Sequence, residues 1–257
     1  MFEALLGNGL VLKKIIESIK ELVTEVNFEV TSEAISLQAM DASHVALVVL
    51  ILRASEFEEY RCDRPQTLGV SITNLAKLLK IAGNDDSIIL RAEDEAHVLT
   101  LVFTGKNNEK MCEFNLNLIT LDSEHLGIPE QNYSAEIIMS SLEYARICRE
   151  LTQVTDTLNL NVDKECVRFA VSGDIGAGSI TMRANISDKA EEKMVLNVLE
   201  PVSMAFALRY LNLFNKASCL SEEVSLSLSP EVPVVLKFSF TLGELRYFLA
   251  PKISEDS

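Results

Sequence analysis

The residues with chemistry to offer in this chain are three histidines, five cysteines and several clusters of acids. His44, His97 and His125 stand at no metal-ligand spacing from one another or from Cys62, Cys112, Cys148, Cys166 and Cys219, and there is no C-x-x-C. No metal and no cofactor are expected. Paired catalytic carboxylates need two acids in unlike environments, so that one keeps a proton the other has lost. Glu93-Asp94-Glu95 is a bare run of acids and reads as a solvated hairpin end. Gly173-Asp174-Ile175-Gly176-Ala177-Gly178 lies between two strand-like runs and opens no helix, which makes it a turn and not a phosphate cradle. There is no G-x-S-x-G elbow. The expectation is a protein that is not an enzyme, with an acidic hydrolase as the rival from another class.

The elements that carry these residues follow from periodicity. Leu12, Ile15, Ile16 and Ile19 form one helical stripe, and Leu75, Leu78 and Leu79 a second within 71–82. A third helix is expected over 140–153, with Leu142, Ala145, Cys148 and Leu151 three apart, and a fourth over 205–217. All four are short, so their stability must come from packing onto something else. That support is sheet: 26–30, 35–38, 45–52, 87–91 and 98–103 in the first half, and 158–162, 167–171, 179–182, 195–199, 224–228 and 234–240 in the second, are rich in β-branched and apolar residues. Asn84-Asp85-Asp86 and 105–108 read as hairpin connections. Strands bunched between helices predict an antiparallel α+β fold.

The order of elements occurs twice. Each half reads strand, helix, several strands, helix, three strands, although residue identity between the halves is poor. The segment 118–134, with Gly127-Ile128-Pro129, reads as a connector between domains at 1–117 and 135–257. Scattered cysteines in odd number fit a reducing compartment. The first residues place an acid before the apolar stretch and lysines after it, the reverse of a signal peptide. The longest apolar run, 45–52, is far short of the ~20 residues that cross a bilayer as a helix. An intracellular soluble protein is expected, in which the sequons at Asn132 and Asn185 have no consequence.

Charge separates the helices from the rest. The chain carries a net −15, which by itself repels nucleic acid. The helical segments hold Lys13, Lys14, Lys20, Lys77, Lys80, Arg146, Arg149, Arg209 and Lys216 against four glutamates, a local surplus of +5 that leaves −20 elsewhere. Any one such helix reads as a solvated face. Four of them on an acidic body suit weak, sequence-independent contact with phosphates.

MDASHVALV at 40–48, YRCDR at 60–64, LRAEDEA at 90–96, LGIPEQ at 126–131, YARICRE at 144–150, EPV at 200–202, LRYLNLF at 208–214 and LAPKI at 249–253 occur in the order in which they stand in the proliferating cell nuclear antigen family of sliding clamps. The chain resembles that family from end to end. The resemblance implies two topologically similar domains of the DNA clamp fold, α+β, with helices lining a central channel and antiparallel sheets outside. It implies a homotrimeric ring that encircles duplex DNA in the nucleus, serves as processivity factor for replicative DNA polymerase in replication and translesion synthesis, and is loaded by a clamp-loader ATPase. A subunit of a heterotrimeric checkpoint clamp is the alternative.

The same resemblance assigns residues. A pocket for glutamine-aromatic peptides, such as those of a flap nuclease and DNA ligase, maps onto Met40, His44, Val45, Leu47, Leu126, Ile128, Pro129, Pro233, Phe248, Ala250 and Pro251. Phe248 departs from the usual tyrosine by one hydroxyl, with little effect on docking expected. Subunit contact maps onto strands at 109–117 and 175–183, with Cys112, Phe114, Leu116, Ile175 and Ile180. Lys164 matches the family's ubiquitin acceptor, on the polar turn Asp163-Lys164-Glu165. Position 127 is a glycine, so the connector lysine that some relatives modify is absent here.

Overall fold

The computed structural model describes residues 1–95, 97–107, 109–122, 126–127, 131–185 and 194–252. The chain divides into two compact units. The first comprises Met1–Ala42, Val48–Gly127 and Phe240–Leu245, and the second Ser43–Leu47, Ile128–Ser239 and Arg246–Ser257.

In chain order the elements begin with β1 (Phe2–Leu6), α1 (Leu10–Ile19), β2 (Glu25–Val30), β3 (Ala34–Met40), β4 (Ala46–Arg53), β5 (Glu59–Cys62), β6 (Gln66–Ser71) and α2 (Ile72–Leu79). Next come β7 (Ser87–Ala92), β8 (Val98–Thr104), β9 (Met111–Asn117), β10 (Ala135–Ser140) and α3 (Ser141–Leu151). The rest are β11 (Thr157–Val162), β12 (Cys166–Gly173), β13 (Gly176–Arg183), β14 (Val195–Val198), β15 (Val202–Ala207), α4 (Leu208–Phe214), β16 (Glu223–Leu228), β17 (Val234–Phe240) and β18 (Gly243–Leu249).

The first unit holds a five-stranded sheet in the order β5-β1-β7-β8-β9, and β2 pairs with both β3 and β6. The second holds a four-stranded sheet, β13-β12-β11-β15, while β10 pairs with β14 and β16, and β16 with β17. These ladders are antiparallel, as the bunching of strands predicts. Strands such as β1 and β2 alternate between core and surface, the two-residue period of a sheet with one face covered.

Each unit covers a sheet face with a helix pair: α1 packs against α2, and α3 against α4. The ten-residue α1 is too short to persist alone. It buries Leu12, Ile15, Ile16 and Ile19, each worth roughly 1.5–3 kcal/mol when fully buried. Ser71 caps α2 and Ser140 caps α3, their side chains accepting from the backbone N–H of Asn74 and Glu143.

Three expectations from the sequence need correction. The buried side of α3 is Tyr144, Ile147, Cys148 and Leu151, while Leu142 is 65% exposed. Spacing by threes drifts off a face that turns at 3.6 residues, and the observed set keeps the i, i+3, i+4, i+7 relation. The fourth helix spans only 208–214, followed by a 3₁₀ stretch at Asn215–Cys219, because 205–207 are taken up by β15. Asn84-Asp85-Asp86 joins α2 to β7 and is no hairpin: Asp86 Oδ2 accepts from Gly83 N–H at 2.7 Å and shapes the helix exit.

Candidate DNA-facing, subunit and docking surfaces

The helical cations fall into distinct settings. Lys13 reaches across from α1 to the end of α2, where its ammonium donates to the carbonyls of Ala82 and Gly83. Those carbonyls lie in the turn just past the C-terminal end of α2, and the contact ties the two helices together. Lys20 is bound to Glu17 at 2.5 Å, and Arg146 bridges Glu143 and Glu150 at 3.5 and 3.1 Å. The Arg209 guanidinium lies over its neighbour, the Tyr210 ring, 4.7 Å from the centroid. Lys77, Lys80 and Arg149 are exposed, and among the described residues no ion pair holds them. Lys14 is half-buried and Lys216 exposed, both with contacts of their own. Such fixed and free cations on short helices can meet phosphates without reading bases.

The sheet edges are not alike. The outer edge of β6 is covered by the segment after β9, whose Ile119 N–H donates to Gly69 O at 2.9 Å. That of β15 is covered by the C-terminal segment through Lys252 N–H and Ala205 O at 2.8 Å. β5 and β14 have only four residues each. Two long edges remain, β9 and β13, and no backbone hydrogen bond from another described residue reaches them. Phe114 on β9 leans on Phe103 with centroids 5.7 Å apart, Cys112 is half-buried and Leu116 buried. Met111 on β9 is 69% exposed. On β13, Ile180 is half-buried between exposed Ser179 and Thr181. Ile175 lies before that strand, in the turn between β12 and β13, and is 76% exposed. The glycine-rich stretch is thus a hairpin turn, with Gly176 at φ 147°. A long, bare strand edge templates association with another chain.

Residues matched to the docking pocket lie in both units. His44, Val45, Leu47, Pro233, Phe248, Ala250 and Pro251 belong to the second unit. Val45, Leu47, Phe248, Ala250 and Pro251 are each half-buried, and Ala250 N–H donates to Val45 O at 3.1 Å, which sets two of them side by side. Pro233 and His44 are exposed, His44 with a left-handed φ of 55°. Met40 and Leu126, both half-buried, belong to the first unit. Ile128 and Pro129 lie outside the described residues, as does His125. The Lys252 ammonium meets Asp156 Oδ1 at 3.3 Å and Thr157 Oγ1 at 2.5 Å and holds the end of LAPKI in place. The Thr157 hydroxyl and Lys252 together keep the Asp156 carboxyl below its ordinary range.

Lys164 is exposed on the turn between β11 and β12. The turn is built by Asp163, whose Oδ1 accepts from Cys166 and Glu165 N–H at 2.8 Å each, and those bonds lower its pKa. Three of the thiols are poor nucleophiles. Burial pushes Cys62 and Cys166 up, and Cys148 to about 11. A shallow cavity of about 530 Å³ near Tyr133 and Asn197 contains Glu136. Asn197 and Ser225 already donate to both oxygens of that carboxylate, at 3.3 and 3.0 Å. Among the described residues no three His, Cys, Asp or Glu side chains gather as a metal site, and no helix is long and apolar enough to cross a membrane.

The family model for the N-terminal domain of proliferating cell nuclear antigen matches residues 1–125, and that for its C-terminal domain matches 127–253. The chain belongs to the proliferating cell nuclear antigen family. Two matched domains, few helices and antiparallel sheets are the DNA clamp fold. Proliferating cell nuclear antigens are non-enzymatic sliding clamps of DNA replication and repair that bind DNA and replication proteins. A 3.6-residue period in the sequence already carries the buried side of α3 in this clamp chain. Nothing local in the sequence signals that Lys13 meets Ala82, 69 residues away.

Proposed function

We propose that three copies of this chain close head to tail into a ring around duplex DNA, each copy pairing its β9 with the β13 of the next. The observation that carries this is the pair of long, bare, unlike edges, β9 in the first unit and β13 in the second. A contact between unlike edges is heterologous, and a closed ring is how such a contact ends without leaving an edge open. Helical cations, with Lys77, Lys80 and Arg149 the least engaged, then face the phosphates and permit sliding. In the nucleus the ring tethers replicative polymerase after a clamp-loader ATPase has opened it. Flap nuclease and ligase dock through glutamine-aromatic peptides at the residues matched to the family's pocket, among them Val45, Leu47, Leu126, Phe248, Ala250 and Pro251. The connector, 118–134, joins the two domains. Lys164, exposed on its turn, is the acceptor for ubiquitin.

Light scattering on a sizing column tests the ring. A mass near three times the 28.5 kDa of one chain supports it, and retention on nicked circular DNA that is lost when the circle is cut supports encirclement. A monomer at micromolar concentration overturns self-closure and favours the heterotrimeric checkpoint clamp.

A further inference from the structure

The connector begins, within the first unit, under tight control. Over four residues it is fixed at three places: Leu118 N–H donates to His97 O at 2.9 Å, Ile119 N–H donates to Gly69 O at 2.9 Å, and Leu121 O accepts from Asn27 Nδ2 at 3.4 Å. Gly69 and Asn27 face each other across the β2–β6 ladder, so two of the three anchors belong to a single row of the sheet. The approach at Gly69 is close enough to exclude any side chain. A Cβ there would sit 1.9 Å from Ile119 O and 3.3 Å from Asn27 Oδ1. The first of these is backbone, which cannot swing aside.

A half-buried amide side chain spent on one carbonyl of a loop fixes the position of that loop, and a bare Cα beneath it fixes its height. Leu126 follows five residues after Leu121. We propose that Asn27 and Gly69 are positioning residues for partner docking: they set the place from which the connector presents Leu126 to a glutamine-aromatic peptide. This rests on the docking reading above, in which Leu126 is matched to the peptide pocket. Neither residue touches the peptide. Their effect is preorganisation, since a segment anchored before the ligand arrives costs less to order on binding.

The test uses the full chain with Asn27→Asp, which keeps the shape but removes the donor, and Gly69→Ala. Leu126→Ala and Phe248→Ala serve as direct pocket variants. Amide exchange, ring mass, melting temperature and calorimetric affinity for a synthetic glutamine-aromatic peptide are measured on each. The expected result is faster exchange at Leu118 and Ile119, unchanged exchange in β7 and β8, unchanged mass, and a Kd weakened by about tenfold. Faster exchange with an unchanged Kd overturns the proposal. So does a loss of affinity accompanied by faster exchange throughout β2 and β6, which would mark a merely structural role. If Leu126→Ala and Phe248→Ala leave the Kd unchanged, the docking reading itself fails and takes this proposal with it. If they weaken it and the two positioning variants do not, only this proposal falls.

Discussion

Phe214 and Tyr247 stack face to face, with ring centroids 4.4 Å apart and planes 9° from parallel. Phe214 ends α4, and Tyr247 sits on β18 beside Phe248, so one aromatic pair joins the helix that carries Arg209 to the strand that carries Phe248. Both rings are fully buried. Phe214→Ala is expected to cost about 3–5 kcal/mol, the range for emptying a buried aromatic site. Urea unfolding checks it, and a cost under about 1 kcal/mol would mean that the site collapses around the gap.

Lys13 and Lys77 are both helical lysines, yet their substitution should read differently. Lys13→Met removes the donor at Ala82 and Gly83 and should lower stability by about 1 kcal/mol. It should leave the salt dependence of DNA binding as it was. Lys77→Ala, at an exposed site, should leave stability within about 0.5 kcal/mol. It should reduce the slope of log K against log salt by about one. Binding titrations at several salt concentrations separate the two.

Phe114→Asp and Ile180→Asp place a charge on the two bare edges. Each is expected to bring the light-scattering mass down to the 28.5 kDa of one chain while the circular dichroism spectrum is retained. Full-size rings from either variant would remove these edges from the contact.

Cys148 gives stability an alkaline limit. Burial raises its thiol from 9.0 to about 11, so the folded chain keeps a proton that the unfolded chain gives up. This contribution is complete below pH 9 and is lost as pH rises toward 11, about 3 kcal/mol over that window. Burial shifts the neighbouring Tyr144 upward too, which steepens the loss. Denaturant midpoints at pH 8 and 10.5 should converge in part for Cys148→Ala. An equal drop in wild type and variant would show that the thiol plays no part.

The sequence made some of this architecture legible and hid the rest, for physical reasons. The stripe Leu12, Ile15, Ile16, Ile19 marks α1 because a short helix on a sheet must concentrate its apolar residues on one side. The run at 45–52 marks β4 because burial on both faces removes polar alternation. β5 stayed hidden, since four partly exposed residues with two charges carry no pattern. Resemblance pointed to β9 where composition did not, and composition marked only 179–182 of β13, because the exposed glycines at its start look like loop until a partner strand is supplied. Which cations are free and which are spent on Ala82, Glu17 or Glu143 depends on contacts that no local window contains.

The two bare edges are unlike, and in the proposed ring of three this has a consequence for mixtures. A chain defective at β13 alone still offers a sound β9, so it can join an assembly but cannot let it close. Such a chain is worse than an absent one. When sound and one-edged chains are made together, the share of closed rings falls as the cube of the sound fraction, and a minority of bad copies withdraws a majority of good ones. A chain blunted at both edges takes no good partners with it. The harm done by an edge substitution is therefore set by the edge it leaves intact.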